Sequence, residues 1–165
     1  MNTKPKLHPT PNTLDQLLES AGWIALTSLW AIAIYHYSNL PDTIPTHYNF
    51  TGQPDRYGGK AALLVLPVIG TLLFAGMTIL GKRPHLFNYP RAITATNALQ
   101  QYTLATRLLR FLKLGIILVF LLVVWDTIAV ATGQSKGLGW WSMIALPFMI
   151  VLPATWYIIK AMKAR

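Results

Sequence analysis

The sequence predicts an all-α integral membrane protein, a bundle of four transmembrane helices, and three observations support this fold class. Hydrophobic residues make up 53% of the 165 residues and charged residues only 12%, which is too apolar for a soluble domain. Four apolar runs reach the roughly 20 residues that a transmembrane helix needs. The runs are apolar all round, whereas the helices of a soluble bundle would each carry a polar face. A single membrane domain is therefore expected.

The predicted spans cover residues 21–39, 61–80, 114–132 and 138–159. Asp126 is the one acidic or basic residue inside them. The first span follows twenty mostly polar residues and carries no signal-peptide cleavage pattern, so we expect it to remain as an anchor. A short interfacial helix with a capping box of Thr13 and Gln16 is expected to lead into it.

The positions of the Lys and Arg residues predict the orientation. A formal charge of +9 would suggest nucleic acid in a soluble chain, but here the basic residues lie between the apolar runs. Eleven of the fourteen fall on the side of the two termini, and this bias predicts that both termini are cytoplasmic. The expected location is a bacterial cytoplasmic (inner) membrane, with the lipid bilayer as partner and no nucleic acid.

Residues 81–113 are predicted to form a cytoplasmic loop with an amphipathic helix over residues 94–113. Leucines recur there at every fourth position, namely Leu104, Leu108 and Leu112. If this helix continues into the third span, it is too long for the hydrocarbon core. It must then project into the cytoplasm or bend along the membrane surface, with Gly115 as the expected bend.

Residues 40–60 form the loop between the first two spans, on the predicted outer side. Three prolines and three glycines exclude a continuous helix. The loop also holds four residues that favour burial or the interface, Ile44, Tyr48, Phe50 and Tyr57. We therefore expect an ordered extracytoplasmic cap, with a small hairpin turning at residues 51–54.

Motifs in this loop resemble a known family. The motif residues are Leu40-Pro41, Ile44-Pro45, His47, Tyr48, Gly52, Asp55 and Lys60. Their pattern resembles the signature loop of a bacterial membrane domain of unknown function that is shared with SdpI-type immunity proteins. The resemblance covers about residues 20–82, and residues 84–90 and 97–102 resemble the short members of the group. It implies toxin immunity or signalling in a few members. SdpI-type proteins carry further membrane helices and only four spans are predicted here, so immunity does not transfer directly.

Titratable groups from separate segments are expected at the outer end of the bundle. They are His36, Asp42, His47, Asp55, Lys60 and Asp126. A carboxylate within a span is costly and usually has a partner, so we expect one of the loop groups within about 6 Å of Asp126. Two interpretations remain open: a site for a metal, a peptide or a lipid headgroup, or structural pairs that fix the loop to the bundle.

The favoured function is an envelope module that binds or senses an extracytoplasmic ligand, either a peptide toxin, a lipid or an ion, in immunity or signalling. The alternatives are an intramembrane or membrane-surface enzyme using His47 and Asp55, and a small transporter using Asp126. No catalytic motif is present and a role other than catalysis is favoured. No cofactor is expected, since cysteine is absent and only His47 and Asp55 give a weak metal signal. A conduction path would require a homo-oligomer.

Overall fold

The computed structural model describes residues 4–164 and is mostly helical. Its long helices are α1 (Thr13–Tyr37), α2 (Val65–Gly81), α3 (Ala98–Ala131) and α4 (Trp140–Lys163). Two strands, β1 (Thr43–Tyr48) and β2 (Pro54–Gly59), lie between α1 and α2, and short 3-10 helices occupy Lys60–Leu64 and Pro84–Leu86. Within the described residues, four helical segments are long and apolar enough to cross a membrane: Thr13–Tyr37, Lys60–Gly81, Ala98–Ala131 and Trp140–Lys163. The chain is a multi-pass membrane protein.

The start of α1 differs from the sequence prediction. The capping box is formed by Asn12 and Asp15, not by Thr13 and Gln16. The Asn12 side chain accepts from the Asp15 backbone N–H at 3.0 Å, and the Asp15 carboxylate accepts from the Asn12 N–H at 3.1 Å. Asp15, three residues after the N-cap, thus takes the position that Glu or Gln usually occupies in a capping box. The predicted lead-in helix and first span form one helix.

The third long helix, α3, is the centre of the bundle and packs against each of the other three. Its 34 residues correspond to about 51 Å, well beyond the ~30 Å of a hydrocarbon core. The helix is continuous through Gly115. That glycine allows a close approach to α4, because a Cβ there would lie 3.2 Å from the carbonyl oxygen of Met149.

The apolar core lies between α1, α2 and α3. Leu29, Phe74, Ile117 and Val124 are each almost completely buried there. One polar contact crosses the first two helices, where the Trp30 indole N–H donates to the Thr71 hydroxyl at 2.9 Å. Few residues of α4 are buried, so most of its apolar surface is left for lipid. In a membrane such a surface carries no penalty.

The loop between α1 and α2 forms a two-stranded antiparallel hairpin. Its turn is organised by the Asn49 side chain, which accepts from the backbone N–H groups of Thr51 and Gln53. Gly52 completes the turn with φ of +77°, a conformation that a side chain would strain. Ile44 on β1 is fully buried in the core and anchors the hairpin to the helices.

Candidate ligand-binding site at the hairpin end

We call the end of the bundle that carries β1 and β2 the hairpin end. Two hydrogen bonds fix the hairpin onto the helices there. The Tyr48 hydroxyl donates to Thr127 Oγ1 on α3 at 3.1 Å, and the Leu138 N–H, just before α4, donates to the Gly52 carbonyl at 2.7 Å. Burial raises the pKa of Tyr48, so its hydroxyl keeps the proton that it donates. The hairpin is therefore held from both sides.

The Asp126 side chain caps the start of α4. Its carboxylate accepts from the Gly139 N–H at 3.0 Å and from the Ser142 hydroxyl. Gly139 is the first residue before α4 and has no side chain with which to cap the helix. A carboxylate donated by a neighbouring helix satisfies these N–H and O–H groups and complements the positive end of the helix dipole. Its location inside a span is thereby compensated.

The charged residues of the loop pair with one another. His47 Nδ1 lies 2.6 Å from Asp55 Oδ1, with about half of each side chain exposed. Lys60 Nζ lies 3.1 Å from Asp42 Oδ1, and the Lys60 N–H also donates to the Asp42 carbonyl. These two pairs lie on the hairpin and at its open end, respectively.

Hydrogen bonds and ion pairs in the described residues join these groups in separate sets: His47 with Asp55, Lys60 with Asp42, and Asp126 with the start of α4. The physical reason is that the first turn of α4 already supplies the donors that the Asp126 carboxylate needs. His36 belongs to none of these sets. Its ring packs edge-on against Trp125 of α3 at 6.4 Å between ring centres and against Tyr35 at 5.0 Å.

A cavity of about 510 Å³ lies beneath the hairpin, between the hairpin and the parts of α2 and α3 at the hairpin end. We call it the hairpin cavity. Its walls are mostly apolar and are lined by residues 44–48, 62, 63, 65, 66, 123, 124, 127 and 138. Polar atoms come from Thr46, His47, Tyr48 and Thr127. This volume is within the range of small-molecule sites, and the lining suits a ligand with an apolar part and few polar groups.

The hairpin end offers few metal ligands. Within the part of the chain that the structure describes, no group of three or more His, Cys, Asp or Glu side chains comes together. His47 and Asp55 alone provide two donors, fewer than the three protein ligands of catalytic zinc sites. What the pair can do is orient an imidazole, since the carboxylate fixes one ring nitrogen and leaves the other for a ligand.

A second set of charges, at the opposite end, was missed in the sequence analysis. We call the end that holds the start of α1, the end of α2 and the first turns of α3 the basic end. Among its charged residues are Asp15, Glu19, Lys82, Arg107, Arg110 and Lys113. The spacing could have revealed them, because Asp15 and Glu19 are four apart on one helix and the cations of α3 are three apart on another.

Two buried ion pairs at the basic end join α1 to α3. The Arg107 guanidinium donates to both oxygens of the Asp15 carboxylate, at 2.9 and 3.1 Å. Lys113 Nζ donates to Glu19 at 2.6 Å and to the Thr78 hydroxyl of α2 at 2.9 Å. The Asp15 side chain is 2% exposed and that of Lys113 is 3% exposed. These contacts link three helices.

Comparison with known proteins gives two matches. Residues 24–71, which include the whole hairpin, match a family described as a domain of unknown function, DUF1648. Over 95 residues the chain is 39% identical to an uncharacterized protein of Archaeoglobus fulgidus. That stretch covers 56% of this chain, and the chain spans 50% of the length of that relative. No solved structure matches. The chain thus contains a region similar to a domain whose function is unknown.

Proposed function

We propose that this multi-pass membrane protein binds or senses a ligand in the hairpin cavity at the outer face of the membrane. The observation that supports the proposal is the cavity itself, about 510 Å³, closed on one side by a hairpin that Tyr48 and Gly52 fasten to the helices. A fastened loop provides a preformed site, which lowers the entropic cost of binding.

The lining favours a lipid or a hydrophobic peptide over a bare ion. Aliphatic side chains from α2 and α3 form most of the wall, and such a surface gains free energy only by covering apolar parts of a ligand. His47, whose ring is oriented by Asp55, lies at the polar part of the lining and can hydrogen-bond a headgroup or a peptide carbonyl. Peptide-toxin immunity and signalling, which the SdpI-type resemblance implies, are settings in which such a site would act.

Filling the cavity tests this proposal. Val123 lines it, whereas the neighbouring Leu122 does not, so Val123→Trp and Leu122→Trp form a matched pair. Each variant is reconstituted in nanodiscs with a photoactivatable phosphatidylglycerol, or produced in a deletion strain exposed to secreted peptide toxins. We expect Val123→Trp, but not Leu122→Trp, to lose cross-linking at the lining residues or to lose protection. Equal behaviour of the two variants in both assays would reject the hairpin cavity as the site.

We also propose that the protein resides in a bacterial-type cytoplasmic membrane with both termini inside. The charge bias of eleven to three supports this orientation. The chain has no cysteine, so a maleimide reacts only with a cysteine that is introduced by substitution. An impermeant maleimide should label Lys136→Cys in intact cells and Lys163→Cys only after lysis. The reverse labelling would invert the topology and place the hairpin end in the cytoplasm.

A membrane-surface enzyme is the second candidate, and one observation favours it. His47 Nδ1 and Asp55 Oδ1 are 2.6 Å apart, the arrangement by which a carboxylate holds an imidazole as a general base. An enzymatic role would make His47→Ala lose turnover of a lipid or peptide substrate while binding of that substrate persists. A transporter using Asp126 gains no support, because both contacts of that carboxylate belong to the start of α4.

A further inference from the structure

Two adjoining cavities lie at the basic end, far along the helices from the hairpin. Their volumes are about 280 Å³ and about 390 Å³. Residues shared by both linings are Pro11, Gly81, Lys82, Thr106 and Arg110. Because the linings overlap, we treat the two as one space, the basic cavity.

The carboxylates beside the basic cavity are already occupied. Asp15 receives two hydrogen bonds from Arg107, and Glu19 receives a short one from Lys113. Four cations, Lys82, Arg107, Arg110 and Lys113, thus face two carboxylates, which leaves an excess of positive charge. In a concave space lined by one sign of charge, such an excess favours a bound anion.

Arg110 is the cation whose hydrogen-bonding capacity is left over. Its nitrogens lie 3.5 Å from Asp15 and 3.8 Å from Glu19, both longer than a hydrogen bond. Among residues 4–164 its guanidinium donates no hydrogen bond to protein, although it carries five N–H groups. The side chain is 21% exposed and lines both parts of the cavity, so its N–H groups are available to a ligand bound there.

Lys82 provides a second cation on the opposite wall. It follows the last residue of α2, is exposed, and has no carboxylate within ion-pair distance in the described part of the chain. His8 closes the same space from the N-terminal segment, which is fixed to α3 by the Tyr102 hydroxyl donating to the Pro5 carbonyl at 2.9 Å. Met77 and Leu109 form an apolar floor on the side of the smaller cavity, which extends along α1.

We propose that the basic cavity binds a phosphate group, with Arg110 and Lys82 as its ligands. A guanidinium presents parallel N–H groups that match two phosphate oxygens, and an ammonium adds a point charge. The two pairs formed by Asp15 and Glu19 position the α3 helix so that Arg110 faces the space. A phospholipid headgroup and a soluble phosphate share this chemistry, and the apolar floor favours the lipid.

The test compares two double variants that remove the same charge from the same end. Lys82→Gln with Arg110→Gln removes the proposed ligands, whereas Arg83→Gln with Arg91→Gln removes two cations that do not line the cavity. Native mass spectrometry of the full chain counts bound phosphatidylglycerol against phosphatidylcholine. We expect the first pair to lower the affinity for phosphatidylglycerol by about tenfold or more, since charge-assisted hydrogen bonds are lost. We expect the second pair to change it by less than about twofold, a change of less than about 0.4 kcal/mol.

Calorimetry with inorganic phosphate and pyrophosphate, in a zwitterionic detergent without added lipid, identifies the source of the group. Binding of the lipid alone assigns a headgroup, and binding of either soluble anion assigns a soluble phosphate. The single variant Lys82→Gln is a control for misfolding, because replacing this exposed side chain leaves the buried ion pairs intact. It should still weaken binding severalfold. Equal losses in the two double variants, or no binding of any of these probes to the wild-type chain, would overturn the proposal.

Discussion

The two ends of the bundle use the same kinds of charged residue in different ways. At the hairpin end each ion pair joins neighbours within one loop, and Asp42 is 96% exposed. At the basic end the pairs join α1 to α3, and Asp15 and Lys113 are almost inaccessible. Exposed pairs contribute about 0–1 kcal/mol, whereas removing one partner of a buried pair costs about 3–5 kcal/mol. The basic end therefore holds the helices together, and the hairpin end leaves its polar groups available for a ligand.

The largest loss of stability is expected from a substitution at Asp15, at the basic end. Asp15→Asn leaves the Arg107 guanidinium without its carboxylate and weakens the capping box of α1. We expect a loss of about 3–5 kcal/mol in the free energy of unfolding, measured by denaturation in detergent. Asp42→Asn is the control at the hairpin end and should change this free energy by less than about 1 kcal/mol. Similar losses of unfolding free energy in both variants would show that the ion pairs at the two ends contribute equally to stability.

Gly137 tests how tightly the hairpin is fastened. A Cβ at this position would clash with the Gly52 carbonyl oxygen, so Gly137→Ala must separate the hairpin from the segment before α4. Breaking the Leu138 to Gly52 hydrogen bond and shifting the backbone should cost about 1–3 kcal/mol of unfolding free energy. Gly76→Ala, where a Cβ meets nothing within 4 Å, should be neutral or slightly stabilising. A neutral Gly137→Ala would indicate a hairpin that is not docked.

Asp126→Ala should cost about 1–2 kcal/mol, because the Gly139 N–H and the Ser142 hydroxyl lose their acceptor. The loss should couple to Ser142→Ala in a double-mutant cycle and should add independently to Lys60→Met. Thermal unfolding of the single and double variants measures both couplings. A coupling energy between Asp126→Ala and Lys60→Met would instead support the single cluster around Asp126 that the sequence suggested.

The smallest effect on stability is expected at the exposed pair of the hairpin. His47→Ala and Asp55→Asn should each change the unfolding free energy by less than about 1 kcal/mol. If the hairpin cavity is the binding site, both variants should nevertheless weaken binding of the ligand identified by cross-linking. A large loss of stability with unchanged binding would make the pair purely structural.

The sequence predicted the helices more readily than the sites. Apolar runs of about 20 residues are a local property, so the four spans could be recognised without any tertiary information. The partners of the charges are not local: Arg107 and Asp15 are 92 positions apart, and Lys113 and Glu19 are 94 apart. Which of them meet depends on α1 lying beside α3.

Asp126 illustrates the same limit at the hairpin end. The cost of a carboxylate within a span correctly indicates that it needs partners, but it does not indicate which groups supply them. The donors are an N–H left unsatisfied by the start of α4 and a hydroxyl in its first turn. Neither group is titratable, so the positions of the charged residues do not indicate these partners of Asp126.

The contact between Gly115 and Met149 limits how α4 can move. Pro153 has no N–H, so it cannot donate to the carbonyl four residues before it, that of Met149. An unpaired carbonyl is costly in hydrocarbon, and the absence of a side chain at Gly115 lets the α3 backbone approach this oxygen, where a glycine Cα–H is a weak donor. Sliding α4 along α3 by one turn would expose that oxygen to hydrocarbon and pull its first turn away from Asp126. A helix that buries little of its surface is thus held at one depth in the bilayer by contacts that include one near its middle and one at its start.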